Sequence, residues 1–410
     1  MKISTIDKSI IFLFSILLVV DSLNGILLLN KVSGISLSQL VKFPLLLLML
    51  IRILYLNKTY ILYILIIFSI LICSVFINYI KAVDIVFFVE IILILKLLVI
   101  PISVFYFASL KNLNYYYYYK SITNIFIISF VVLSFNIFLS LIGIGYHSYR
   151  GEIGNKGFFY AGNELSALYL ILTSYLLYYT LKKYSIKVYV LLSAISLYIG
   201  ISISTKVSMF SIFIIIILTP LVSIKFKKDS KLISKAFVFL LTIGIMSVLL
   251  FNTVISSSAF ERWVHFFKVY DYDYISILLS GRNKTLIDSF NMNDAFFEPF
   301  NLFFGYSYSG LVNNLQQSTI YRVKLNEMDF FDIYFIYGLL GLFSVLSVWI
   351  ISLYHFFYSN KKNLILLITV LLILFISFLS GHVLYSGLSG PFIGIYLSLM
   401  FQKNIYKKMV

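Results

Sequence analysis

Long apolar segments recur along this chain, and they constrain its fold more than any other feature. A helix needs about 20 mostly apolar residues to cross a bilayer, and twelve stretches reach roughly that length. The chain of 410 residues is 61% hydrophobic, whereas soluble domains are about 45–50% apolar. The sequence therefore predicts an all-α polytopic integral membrane protein with about 12 transmembrane helices in a single domain, 1–410.

One interval between the apolar stretches is much longer than the others. The polar segment 259–330 separates the ninth stretch from the tenth. Nine of the 16 acidic residues lie between positions 261 and 332. The predicted spans are about 9–29, 37–56, 60–80, 83–106, 121–145, 164–181, 186–204, 207–223, 235–258, 331–352, 363–380 and 384–402.

The basic residues predict the orientation of these spans. The two termini and the loops after the second, fourth, sixth, eighth and tenth spans carry 19 of the 32 Lys and Arg residues. Short loops rich in Lys and Arg face the cytoplasm, so both termini are predicted to be cytoplasmic and segment 259–330 to lie outside. This topology also accounts for the net charge of +16, and no nucleic acid partner is expected.

The long outer segment carries residues suited to an anion. Arg262 and Trp263 open it, and Ser280 and Gly281 precede Arg282. Ser280 is expected to cap a short helix that runs through Asp288, which would put Arg282 at a helix N-terminus, where anions bind readily. Because Arg forms bidentate bonds to phosphate, a pyrophosphate would fit. A solvated helix with a Lys284–Asp288 pair is the alternative interpretation.

Three carboxylates crowd the entry to the tenth span. Glu327, Asp329 and Asp332 lie within six residues. Glu327 or Asp329 could act as a general base toward a sugar hydroxyl. Acidic residues also favour helix N-termini, so capping of the helix is an equal alternative.

Further candidate residues come from shorter outer segments. Arg150 and Lys156 add positive charge to the loop before the sixth span, and Asn163 is expected to cap that span. Lys206 is a cation between two short spans, for which snorkelling to the interface is the simpler explanation.

Inside the predicted spans, charged residues are costly and normally pair or line a water-filled path. Asp21 and Glu90 could both lie next to Lys96, as a structural ion pair or as part of a transport route. The sequence has no P-loop, no GxGxxG, no HExxH and no GxSxG motif. It has one cysteine and four scattered histidines, so no metal site and no cofactor are predicted.

In the order of these residues, the chain resembles the O-antigen polymerase and O-antigen ligase superfamily. The similarity is clearest from Arg150 onward. It rests on the sequence from Gly157 to Glu164, the Ser204-Thr205-Lys206 turn, Gly281-Arg282, Phe304-Gly305-Tyr306, and an acidic entry to the span containing Tyr337 to Gly341.

The resemblance implies a metal-independent, inverting glycosyl transfer at the outer face of the bacterial cytoplasmic membrane. It implies a glycan on undecaprenyl pyrophosphate as donor, a lipid-linked repeat unit or a lipid A core sugar as acceptor, and membrane lipids as surroundings. A flippase and a chain-length regulator are candidate protein partners. Family arginines that hold the pyrophosphate correspond to Arg150, Arg262 and Arg282, with Lys156 and Lys206 as further candidates.

Glycan contacts are expected from Asn163, Trp263 and Tyr306, because the two aromatic rings can stack on sugars. Ligase-like members of the superfamily often have a histidine where this chain has Glu327 to Asp329. That departure favours a polymerase of O-antigen, capsule or exopolysaccharide over a ligase.

Three other functions remain open. A flippase for lipid-linked repeat units would suit the number of spans, although no paired halves are visible. A membrane glycosyltransferase with acidic metal ligands in its first outer loop is less compatible, because the loop from Asn30 to Ser36 has no acid. A non-catalytic assembly scaffold is the third.

Overall fold

A computed structural model describes most of the chain. The described residues are 3–31, 36–81, 85–149, 153–159, 162–223, 264, 267–271, 273–291, 299–318, 325–359 and 363–401. The predicted ninth span, 235–258, and the candidate residues Arg150, Arg262 and Trp263 lie outside them.

Helices make up nearly all of the described structure. They are α1 Thr5–Leu29, α2 Leu37–Leu56, α3 Lys58–Ile80, α4 Phe87–Leu113, α5 Tyr115–Leu141, α6 Gly162–Lys183, α7 Ile186–Ile203, α8 Lys206–Ser223, α9 Tyr274–Leu279, α10 Arg282–Asn291, α11 Pro299–Phe304, α12 Tyr308–Ser318, α13 Asp329–Phe357, α14 Leu364–Leu379 and α15 Gly390–Ser398. The strands β1 Tyr146–Tyr149 and β2 Ile153–Gly157 form an antiparallel hairpin.

Asparagine side chains start several of these helices. Asn57 accepts a hydrogen bond from the amide of Thr59 and separates α2 from α3, and Asn114 does the same for Tyr117 between α4 and α5. Asparagine is a preferred N-cap because its side-chain oxygen satisfies an amide that the first helical turn leaves unpaired. One residue is therefore enough to reverse the chain direction at each of these two connections.

Seven of the described helices are long and apolar enough to cross a membrane, and α8 and α14 are shorter apolar helices. The apolar helices confirm an all-α polytopic architecture, while the number of twelve spans stays a prediction. The twelfth predicted span, 384–402, differs most from the structure. Its helix, α15, covers only Gly390–Ser398, and residues 380–389 before it are not helical.

The helix α13 is interrupted at Gly338, whose φ of 67° and ψ of −171° are not helical. A Cβ atom at Gly338 would lie 2.3 Å from the backbone carbonyl of Phe303, so only glycine allows this approach. The turn after α11 docks there, with the amides of Tyr306 and Ser307 donating to the carbonyls of Phe335 and Ile336 at 2.9 Å each. The glycine-aromatic turn noted in the sequence is thus a packing element against the break in α13.

The charged residues within the bundle pair differently from expectation. Asp21 accepts from Lys42 at 2.6 Å and from Ser38 at 2.5 Å. Glu90 accepts from the amide and hydroxyl of Ser309, at 2.8 and 2.9 Å, at the start of α12. Neither carboxylate pairs with Lys96 in the described structure. The expected ion pairs with Lys96 are therefore replaced by a bond between α1 and α2 and by a cap on α12.

The β hairpin lies against one end of the bundle. Gly25 of α1 contacts the carbonyl of Phe158 so closely that a Cβ atom there would overlap it. The hydroxyl of Ser148 donates to the carbonyl of Ile203 at 2.9 Å, and that of Ser140 donates to Asn155 at 3.1 Å. The hairpin thus joins α1, α5 and α7 at the end that the charge pattern predicts to face outside.

Candidate functional site

A cavity of about 570 Å³ opens at this same end of the bundle. Its apolar wall comes mainly from α8 and α14, and its polar wall from the beginnings of α6 and α10 and from two non-helical segments. The chemically active side chains along it are those of Asn163, Lys206, Arg282, Glu327 and His382. Four of these five were candidates from the sequence, and the fold brings them together from four separate parts of the chain.

Arg282 follows a sharp turn between two short helices. Ser280 ends α9 in a left-handed conformation with φ 57°, and the amide of Gly281 donates to the carbonyl of Ser276 at 2.8 Å. This bonding pattern closes the C-terminus of a helix. Ser280 is therefore the end of α9 and not the expected start of the next helix, and α10 begins at Arg282 itself.

Lys206 holds this turn. Its ammonium donates to the carbonyl of Ile277 and to the hydroxyl of Ser280, the latter at 3.1 Å. Cations are favourable at a helix C-terminus, where carbonyl oxygens lack partners within the helix. The bonds of Lys206 thus link the start of α8 to the turn before Arg282. Lys206 is therefore bonded to the protein, whereas the alternative interpretation has it only snorkel to the membrane interface.

Arg282 and Glu327 form an ion pair on the cavity wall. The distance between the guanidinium Nη2 and the carboxylate Oε2 is 3.2 Å, with side chains 17% and 24% exposed. The Nε of Arg282 is buried without a hydrogen-bond partner among the described residues. Arg presents several donors in a planar fork, so a ligand that turned the side chain away from Glu327 would find donors for two anionic oxygens.

The backbone fixes Glu327 beside His382. Glu327 has a φ of 56°, and its backbone packs directly against Gly381, where a Cβ atom would lie 2.5 Å from the Glu327 carbonyl carbon. Asn163 reaches the same point, since its amide nitrogen lies 3.5 Å from the carbonyl oxygen of Gly381. Asn163 is the second residue of α6 and therefore lines the cavity rather than capping that helix.

Asp329 and Asp332 lie beneath the cavity wall. Asp329 is 0% exposed, and it accepts from three consecutive backbone amides, those of His382, Val383 and Leu384, at 2.5, 2.8 and 2.8 Å. Asp332 accepts from the amide of Asn326 at 3.1 Å and from the hydroxyl of Tyr385 at 3.2 Å. These contacts make both carboxylates supports of the segments that carry Glu327 and His382.

His382 was not a candidate from the sequence, where the four histidines are merely scattered. Burial lowers the pKa of His382, and the positive charges of Arg282 and Lys96 lower it further, while Glu164 and Glu327 oppose the shift. The net direction favours a neutral imidazole, which has one donor and one acceptor nitrogen. No motif marks this residue; the bond from its backbone amide to Asp329, 53 positions away, fixes its place.

Two other candidates lie away from the cavity lining. Lys156 is placed over the ring of Tyr146 at 5.6 Å within the hairpin, where burial lowers its pKa. Tyr306 is 8% exposed and accepts from Asn301 at 3.3 Å in the turn against α13. The expected contacts of Lys156 with pyrophosphate and of Tyr306 with sugar stay predictions without support from this cavity.

Chemically, the cavity offers a cationic fork, a carboxylate and an imidazole on one wall and an apolar surface on the other. The charged groups suit a phosphorylated head group and the apolar wall suits a lipid tail.

Comparison with known protein families relates the C-terminal part of the chain to a described family. The model of a family described as O-antigen ligase like membrane protein matches residues 261–406. No curated protein and no solved structure matches the chain. The match supports the resemblance to the O-antigen ligase and polymerase superfamily and a role in processing membrane-bound glycans. Its range includes Arg282, Glu327 and His382.

Proposed function

We propose that this chain, with its O-antigen ligase-like C-terminal region, is a polysaccharide polymerase that joins lipid-linked repeat units. The substrates would be glycans on undecaprenyl pyrophosphate, and the reaction would take place at the outer face of the bacterial cytoplasmic membrane. The observation that carries this proposal is the Arg282–Glu327 pair on the wall of the 570 Å³ cavity.

Arg282 supplies the contact to the leaving group. When the guanidinium turns away from Glu327, its Nε and Nη2 can bond two pyrophosphate oxygens in parallel. Positive charge at this point stabilises the pyrophosphate as it leaves, without a metal ion. Lys206 contributes through the turn that it holds, and its own charge adds to the field in the cavity.

Glu327 is the best supported base. A carboxylate that lines the cavity can accept the proton from an acceptor hydroxyl, whereas Asp329 is fully buried and occupied by three amides. The acceptor oxygen then forms a bond to the anomeric carbon of the donor. The bond from that carbon to the pyrophosphate breaks, its electron pair leaves with the pyrophosphate, and the configuration inverts.

The ion pair provides an order of events. While Arg282 is bonded to Glu327, a carboxylate oxygen of Glu327 is occupied by the guanidinium. A pyrophosphate that draws the guanidinium away would free that oxygen to accept a proton in the same step. Donor binding would therefore activate the base.

The charged residues inside the bundle favour an enzyme over a flippase. Asp21 and Glu90 are engaged with Lys42 and Ser309, in contacts that join helices. A transport path normally requires such residues to line a water-filled route. The ligase function remains the alternative, because the matching family is described by that activity.

The deciding experiment deletes the gene and examines the surface glycan together with the lipid-linked pool. We expect surface glycan reduced to single repeat units, restored by the wild-type gene but not by Arg282→Ala. Finished polymer accumulating on undecaprenyl pyrophosphate would instead identify a ligase. Repeat units retained on the cytoplasmic side would identify a flippase.

A further inference from the structure

A second cavity, of about 290 Å³, lies between α1, α2, α4 and the start of α6. It is rich in polar side chains although three of these helices are apolar spans. The polar side chains that line it include those of Asp21, Asn24, Gln39, Lys42, Lys96 and Glu164. Polar groups at such a depth are costly unless they bind one another or a ligand.

The carboxylate of Asp21 is only partly satisfied. Its Oδ1 accepts from Lys42 and Ser38, but its Oδ2 is buried and has no hydrogen-bond partner within the described ranges. Asp21 lies eight residues before the end of α1, about 12 Å along the helix axis. An unpaired buried carboxylate oxygen costs free energy that a donor from a ligand would recover.

Glu164 faces the same cavity from the opposite side. The hydroxyl of Ser386 and the amide of Leu388 both bond its Oε2 atom, and no described hydrogen bond ends on Oε1. Lys96 is exposed to the cavity and has no ion-pair partner among the described residues. Two acceptors and one ammonium donor are thus available around a single space.

The charges of this cavity balance. Two carboxylates face two ammonium groups, whereas the first cavity has more cationic than anionic side chains. Mixed donors and acceptors beside the aromatic rings of Phe43 and Phe158 suit a neutral ligand with many hydroxyl groups. That chemistry is the chemistry of a sugar, and it differs from the anion chemistry at Arg282.

The two cavities share one wall. Asn163 lines the first and the next residue, Glu164, lines the second. The segment after α14 is divided in the same way, with His382 on the first cavity and Gly387 and Leu388 on the second. The start of α6 and the segment after α14 therefore line both cavities, which are neighbours at this end of the bundle.

We propose that the second cavity binds a sugar of the membrane-anchored acceptor, next to the sugar whose hydroxyl reaches Glu327 in the first cavity. This inference rests on the proposed function, and it assigns Asp21, Lys96 and Glu164 to acceptor binding as Arg282 is assigned to the donor. Transfer from one lipid-linked glycan to another requires two adjacent sites, and the shared wall supplies that adjacency.

The first test measures binding without turnover. The oligosaccharide of one repeat unit, released from its lipid, is added to the purified protein and followed by ligand-observed nuclear magnetic resonance. We expect binding to wild type, and a loss of roughly tenfold or more in affinity in Lys96→Gln and Glu164→Gln. Lys31→Gln is the matched control, since Lys31 is exposed at the same end and outside both cavities.

The second test uses turnover in proteoliposomes. Lys96→Gln should raise the acceptor KM while kcat and the donor KM stay within about twofold, and Arg282→Ala should act on the donor instead. Unchanged acceptor binding and KM in both variants would overturn the proposal, as would a rise in the donor KM alone. Displacement of the oligosaccharide by undecaprenyl phosphate would also overturn it, by showing that the cavity binds the lipid phosphate.

The binding test also separates this inference from the function on which it rests. Oligosaccharide binding that depends on Lys96, in a protein that transfers no glycan, would retain the sugar site and reject the polymerase. Polymerase activity that is unchanged by substitution of Lys96 and Glu164 would retain the polymerase and reject the sugar site.

Discussion

Arg282 contributes both a charge and a planar fork, and substitution can separate the two. Arg282→Ala should reduce polymer formation by a factor on the order of 10² to 10³, the usual loss when a donor to a developing anion is removed. Arg282→Lys keeps the charge but cannot bond bidentately, so an intermediate loss is expected. The rate of polymer formation in proteoliposomes gives the measurement.

Lys284 is the control for this pair of variants. It lies on the same helix, over the ring of Tyr270 at 5.8 Å, and does not line the cavity. Lys284→Ala should therefore leave the rate nearly unchanged. Equal losses in Lys284→Ala and Arg282→Ala would mean that general positive charge in this segment, and not a site at Arg282, determines activity.

Glu327 and Asp329 are two residues apart, but their substitution by the matching amide residues should have different effects, on kcat for Glu327 and on stability for Asp329. Glu327→Gln should lower kcat by roughly 10² to 10⁴, as for loss of a general base, with little change in thermal stability. Asp329→Asn should destabilise the fold by about 1–3 kcal/mol, because its NH2 group would replace an acceptor that faces backbone amides. Thermal unfolding and kcat measured on both variants distinguish a base from a support.

His382 predicts a pH dependence of stability. Its pKa in the folded protein is lowered from the ordinary value of 6.5, mainly by burial, so the unfolded chain binds more protons near that pH. The contribution of His382 to the free energy of unfolding is therefore fully present above about pH 6.5, and it is lost as the pH falls toward the folded-state pKa. The melting temperature should rise between pH 5.5 and 7.5 in wild type and rise less in His382→Gln. An identical pH profile in both proteins would contradict the lowered pKa.

Among the helices and turns, the break in α13 at Gly338 is expected to tolerate substitution least. Gly338→Ala would combine a left-handed φ of 67° with an overlap at the Phe303 carbonyl. Gly143 has a comparable φ of 83°, but a Cβ atom there would have no neighbour within 4 Å. Gly143→Ala therefore measures the free-energy cost of the left-handed backbone alone. The yield of folded protein should fall much further for Gly338→Ala, and equal yields would show that the turn after α11 does not depend on this contact.

The helices were largely predictable and the site was not. Apolar length predicted the ends of α2 at 37 and 56, as found, because bilayer thickness sets the length of an apolar helix. Residues 384–389 are predicted as the start of the twelfth span, yet they are not helical, and the amides of residues 382–384 bond the carboxylate of Asp329. The pairing of Arg282 with Glu327 spans 45 positions, and local residue types carry no information about a contact at that separation.

At the scale of the whole molecule, the orientation of the bundle can be tested directly. In a Cys73→Ser background, Lys31→Cys should react with a membrane-impermeant maleimide on intact cells, because its loop is predicted to lie outside. Lys58→Cys should react only after permeabilisation. The opposite pattern would place the Arg282 cavity on the cytoplasmic side and would exclude the proposed reaction at the outer face.

The bonds between Asp329 and residues 382–384 also bear on how this protein can change over evolutionary time. Every amino acid except proline supplies the amide that such a bond requires. The side chains at 383 and 384 are 0% exposed, so they can change among apolar residues of similar volume while the imidazole stays in place. Homologous sequences would then show an invariant aspartate opposite a segment that keeps its apolar character but not its residue identities.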